Sequence, residues 1–137
     1  MSQFKTAVIV LIAAVLASSP ERAAACDRAA ISKRLPAIMK LYFEAEDALQ
    51  SSSMLRYNSA VRGLSSVLRR FDAGTATDAR GGCEFALQNV LSGLRSLEEA
   101  RSLAEARVKI PGLKHALSSW AYFAGRKDVK RRKFASQ

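Results

Sequence analysis

Two cysteines, one histidine, scattered carboxylates and a surplus of arginine and lysine are the residues with chemistry to offer in this chain of 137. Cys26 and Cys83 lie 57 positions apart, which excludes the C-x-x-C redox and zinc motifs and C-x-x-C-H haem attachment. Of the residues around Cys83 only Arg80 would favour a thiolate, so a structural pairing is preferred to a catalytic one. The lone His115 excludes metal sites built from several imidazoles, and no metal or cofactor is expected. Met39 and His115 could together ligate a haem iron, but their heights along antiparallel helices differ: about 20 Å against about 30 Å from the Cys26 end at 1.5 Å per residue. A core methionine and a partly exposed histidine are expected instead.

Carboxylates cluster at Glu44, Glu46 and Asp47, with Glu98 and Glu99 further along. Paired across a bundle they could act as acid and base or hold two metals. The two-metal pattern needs Glu-x-x-His twice, however, and a single histidine cannot supply it. Solvated helix faces are the better account. Arg56, Arg62, Arg69, Arg95 and Arg101 could hold an anionic substrate inside a small helical enzyme, which is the alternative functional reading.

The elements that must position these groups are helical. Apolar residues recur at Ile31, Leu35, Ile38, Tyr42, Ala45 and Leu49 in alternating steps of four and three, the spacing of one helix face. A second stripe, Met54, Tyr57, Val61, Leu64, Leu68 and Phe71, is out of phase with the first. The slip falls at Ser51-Ser52-Ser53, where serines favour turns and caps, so two helices meet there. Pro36 either kinks the first helix or sits in the first turn of one that begins later. Residues 72–82 carry three glycines and no periodicity, which predicts a loop.

A third helix presents Leu87, Val90, Leu91, Leu94 and Leu97 on one face and Glu98, Glu99, Arg101, Glu105 and Arg107 on the other. Arg101 is spaced to brace Glu98 and Glu105, and Pro111-Gly112 stops the helix. A fourth carries Leu113, Leu117, Trp120, Phe123 and Ala124 and ends near Gly125. No run alternates as a strand does. The expected fold is all-α, an up-down-up-down four-helix bundle over residues 26–125. In that topology the first and third helices start at the same end, where Cys26 and Cys83 fall. An unbroken helix over 28–71 would span ~66 Å and hold the cysteines at opposite ends. The break at the serines and the disulfide therefore support each other.

Ahead of this body, Ala7 to Ala17 is free of charge and follows Lys5. As a helix it would be ~16 Å long, about half of the ~30 Å hydrocarbon layer, so it is too short to anchor stably across a membrane. Ala23-Ala24-Ala25 supplies a small-x-small cleavage site, and residues 1–25 are expected to be a signal peptide cut after Ala25. The location is then periplasmic or secreted, an oxidising compartment in which Cys26 and Cys83 pair. A competing reading makes Cys26 the lipid-modified first residue of a lipoprotein. Ala23, where such signals carry a larger aliphatic residue, and the intervening Glu21 and Arg22 weigh against it.

The formal net charge of the chain is +10. More than half of the excess left after removal of the leader belongs to residues 126–137, a basic tail containing Arg126, Lys127, Lys130, Arg131, Arg132 and Lys133. Such a tail can contact an anionic envelope surface or an acidic protein partner. Phe134 is its only aromatic, so stacking on bases, and with it nucleic-acid recognition, is disfavoured. A solvated tail without a partner is the plainer account of the same residues. Taken together, the residues predict an exported, non-enzymatic interaction protein of a bacterial envelope.

Overall fold

Helix starts are written into the side chains that precede each apolar run. Asp27 Oδ1 accepts from the Ala30 N–H at 3.0 Å, Ser53 Oγ from Arg56 at 3.3 Å and Ser102 Oγ from Glu105 at 3.1 Å, satisfying backbone donors that a first helical turn leaves open. The computed structural model describes residues 22–125, and these caps open α1 (Arg28–Gln50), α2 (Met54–Leu68) and α4 (Leu103–Ala124). The remaining helix, α3 (Cys83–Glu98), starts from Gly82, whose φ of 56° favours glycine. The described residues are thus mostly helical, as the periodicity implies.

The apolar stripes become the core. Ile38 and Tyr42 of α1, Leu64 and Leu68 of α2, Leu87, Val90, Leu94 and Leu97 of α3, and Leu113, Leu117 and Trp120 of α4 are fully buried, and no charged residue is buried among the described residues. The closest packing is of α1 on α2 and of α3 on α4; contacts of α1 with α4 and of α2 with α3 join these two hairpins. Glycines permit the close approach within each hairpin. A Cβ on Gly63 would lie 2.7 Å from Leu41 Cδ2, and one on Gly93 would lie 3.3 Å from Leu113 Cα. Pro36 and Pro111 both lie inside helices on exposed positions, where the carbonyl that each proline leaves unpaired can be hydrated.

Three features depart from the sequence reading. The turn between the last two helices is at Glu99–Ser102 and not at Pro111-Gly112. Ser102 and Glu105 form the start signal there: Ser102 caps the Glu105 N–H while Glu105 Oε2 accepts from the Arg101 N–H at 3.0 Å. With the helix interrupted between them, Glu98, Arg101 and Glu105 do not form the expected helical braces; Glu98 pairs with Arg69 and Glu105 with Lys109. The ends of two stripes, Met54 and Phe123, are exposed. Finally, two short strands are present, β1 (Ala23–Ala24) and β2 (Phe71–Asp72), paired in parallel with Ala23 opposite Phe71 and Ala24 opposite Asp72. The folded body therefore extends upstream of the boundary expected at Cys26.

The end of α1 is tied to the start of α4. Arg107 donates through Nη2 to the Leu49 carbonyl at 2.7 Å and to Ser52 Oγ at 2.9 Å, placing a cation on a carbonyl at a helix C-terminus. This holds the tight Ser51–Ser53 turn, in which Ser52 has a φ of 56°.

Candidate functional site

The β1–β2 register brings arginine to arginine. With Ala23 opposite Phe71, and its N–H donating to the Arg70 carbonyl at 2.9 Å, Arg22 stands beside Arg70. The early part of α1 adds Lys33 and Arg34, and Arg69 is the C-cap of α2. These five cations line one cleft of about 400 Å³, whose apolar wall is Ala23, Ala30 and Phe71. A smaller cleft of about 290 Å³ shares Arg22, Arg69 and Phe71 with it and reaches Asp72, Gly74 and Leu91.

Of the five, Arg69 alone has a carboxylate partner among the described residues: Nη2 meets Glu98 Oε1 at 2.6 Å while Nε donates to Ser65 Oγ at 2.8 Å. Arg22, Lys33, Arg34 and Arg70 have none there. Among the described residues the cleft lining contains no carboxylate, histidine or tyrosine, so its charged groups are all cations, which suit an anion. The first turn of α1 carries no acid, so the partial positive charge of its N-terminus is offset locally only by the Asp27 cap.

A rigid base lies behind this rim. Cys26 and Cys83 form a disulfide, their Cα atoms 5.4 Å apart, so the starts of α1 and α3 do share one end of the bundle. Phe71, which walls the cleft, meets Trp120 edge to face with ring centroids 5.0 Å apart, and Trp120 Nε1 donates to the Ala25 carbonyl at 2.9 Å. The loop after β2 is fixed by Gln88 Nε2, which donates to the carbonyls of Ala73 and Gly74 at 3.3 Å each.

The other candidate groups are dispersed. Arg56, Arg62, Arg69, Arg95 and Arg101 are all exposed, and of these five only Arg69 lines the cleft. Arg56 instead pairs with Asp47 at 2.6 Å and contributes to a separate depression of about 240 Å³ with Glu44. The acidic residues do not converge. Glu46 accepts from the Tyr42 hydroxyl at 2.9 Å, Asp47 pairs with Arg56 and Glu98 with Arg69. Among the described residues no group of three His, Cys, Asp or Glu is placed to hold a metal. His115 is exposed and Met39 packs against the core.

Two tyrosines titrate high for identifiable reasons. Burial, reinforced by the Glu46 hydrogen bond and charge, pushes the Tyr42 phenol well above its usual value. Burial, aided by the charge of Glu105, pushes Tyr57 up to about 12, and its hydroxyl donates to the Leu97 carbonyl at 2.9 Å. Both act as structural donors.

The tail cations Arg126, Lys127, Lys130, Arg131, Arg132 and Lys133, and residues 1–21 of the expected leader, lie outside the described residues. No described helix is long and apolar enough to cross a membrane. Sequence reasoning missed Arg22, Lys33, Arg34 and Arg70 as a group. Their signal was the pair of dibasic doublets, Lys33-Arg34 and Arg69-Arg70, but only a parallel pairing across 47 intervening residues, from Ala24 to Arg70, brings the doublets and Arg22 to one cleft. In comparison with known proteins, no family model, no curated protein and no solved structure matches this chain.

Proposed function

We propose that this chain is an exported, non-enzymatic binding protein of a bacterial envelope that engages a phosphate-bearing anionic surface through clustered cations. The observation that carries this reading is the cleft of Arg22, Lys33, Arg34, Arg69 and Arg70, four of which lack a carboxylate partner among the described residues. Like charges held together without counter-charge repel one another, and a multivalent anion relieves that repulsion. Arginine suits phosphate because its planar fork presents paired donors to two oxygens.

The basic segment 126–137 acts as a second contact in this account. Two cationic elements on one chain raise the effective concentration of each at the surface once the other has bound. Export is supported by the short apolar stretch behind Lys5 and by the pairing of Cys26 with Cys83. Pairing of Cys26 with Cys83 also leaves no free thiol for a lipid anchor.

The test is co-sedimentation of the full, oxidised protein with vesicles rich in phosphatidylglycerol and with neutral vesicles, at low and high salt. Salt-sensitive binding to the anionic vesicles alone, weakened by deletion of residues 126–137, is expected. Equal binding to both vesicle types, or binding indifferent to salt, would overturn the reading.

A further inference from the structure

We infer that Arg22–Ala25 belong to the mature folded protein, so that the leader is cut on the N-terminal side of Arg22 and not after Ala25. The inference rests on the export reading for the existence of a cut, and on the fold for its position. Ala25 is only 3% exposed, packed within the core cluster, and its carbonyl is the acceptor for the buried indole N–H of Trp120. Ala23 and Ala24 form β1, and the Ala23 N–H is spent on the Arg70 carbonyl. Arg22 and Ala23 line the cationic cleft.

A cut after Ala25 would remove all of this. Trp120, which is fully buried, would lose its acceptor, and the new α-ammonium on Cys26 would stand next to an indole N–H, a donor facing a donor. Phe71 would lose its strand partner, and the cleft one of its five cations. The same packing shields the peptide bond after Ala25 from a peptidase once the body has folded.

The leader holds another position that a leader peptidase can use. Val15 and Ala17 stand three and one positions before a cut at Ala17–Ser18, directly after the apolar stretch. There water adds across the peptide bond, leaving a carboxylate on the leader and an amine on the mature chain. Arg22 then lies a few residues from the new terminus.

Intact-mass measurement and N-terminal sequencing of the full chain, expressed with its own leader in a Gram-negative host and recovered from the periplasm, test the position. An N-terminus between Ser18 and Arg22 is expected. An N-terminus at Cys26, with or without acylation, overturns the inference while leaving export intact. A chain that retains residues 1–17 and stays in the cytoplasm overturns the export reading itself. A second variant, A17F, bulks the small residue directly before the upstream cut; processing slowed at least tenfold is expected, and unchanged processing would contradict the upstream position.

Discussion

Trp120 near the end of α4 and Ala25, just before α1, are joined by one hydrogen bond of 2.9 Å that spans 95 positions of sequence. The bond closes the end of the bundle where the chain enters, beside the Cys26–Cys83 disulfide and under the wall of the cationic cleft. Replacing the indole by a smaller ring without the donor, W120F, leaves the Ala25 carbonyl unpaired and a void in a fully buried site. A loss of about 2–4 kcal/mol is expected in urea denaturation.

The disulfide closes a loop of 57 residues between two helix starts. Chain-entropy arguments give such a crosslink about 4 kcal/mol, a large share of the stability of a small domain. The C26S/C83S variant, or reduction of the native protein, is expected to lower the thermal midpoint by more than 10 °C. Calorimetry with and without reductant checks this.

Tyr57 gives the alkaline limb of stability a definite sign. Its folded value, about 12, lies above the ordinary phenol value of 10, so the unfolded chain gives up the proton first. The contribution is complete below pH 10 and is lost as pH rises towards 12. Tyr42 is shifted in the same direction. Y57F removes the donor to the Leu97 carbonyl, so it is expected to cost about 1–2 kcal/mol at pH 7 and to flatten the fall in stability between pH 10 and 12. Denaturant midpoints measured across that range read both effects.

At the acid end the relevant group is Glu105. The hydrogen bond from Lys109, then that from the Arg101 N–H, holds its carboxyl below the ordinary value of 4.5. Its contribution is present above the ordinary value and is lost as pH falls through the lowered one. E105Q is expected to remove that part of the acid dependence, whereas S102A, which deletes the cap of α4, should cost about 1 kcal/mol at every pH.

Much of the fold is legible from spacing alone. The stripe from Ile31 to Leu49 and its phase slip at Ser51 locate the first turn, because burial of one helix face leaves a strict trace in sequence. The last turn is not legible in that way. Pro111 looks like a stop but sits on an exposed helical position, where its missing N–H costs little, and the real boundary is marked by the polar pair Ser102 and Glu105. The site is harder still. Apart from Arg69, the arginines singled out in the sequence are dispersed over exposed positions outside the cleft, whereas the cations that join Arg69 are brought there by a two-residue parallel pairing that leaves no periodic trace. One side of that pairing, Ala23–Ala24, lies in the stretch that its small residues mark as the end of a leader.

The most direct test of the central claim compares two triple variants with the same loss of charge. K33Q/R34Q/R70Q removes three of the four cleft cations that lack a carboxylate partner among the described residues and leaves Arg22, whereas R62Q/R95Q/R101Q removes exposed arginines elsewhere on the body. Each cation near an anionic surface contributes about 1 kcal/mol, so the cleft variant is expected to bind phosphatidylglycerol vesicles at least tenfold more weakly at low salt, with the control within about threefold of the wild type. Equal weakening of the two variants would mean that net charge and not the cleft governs binding. No weakening of the cleft variant would contradict the account outright.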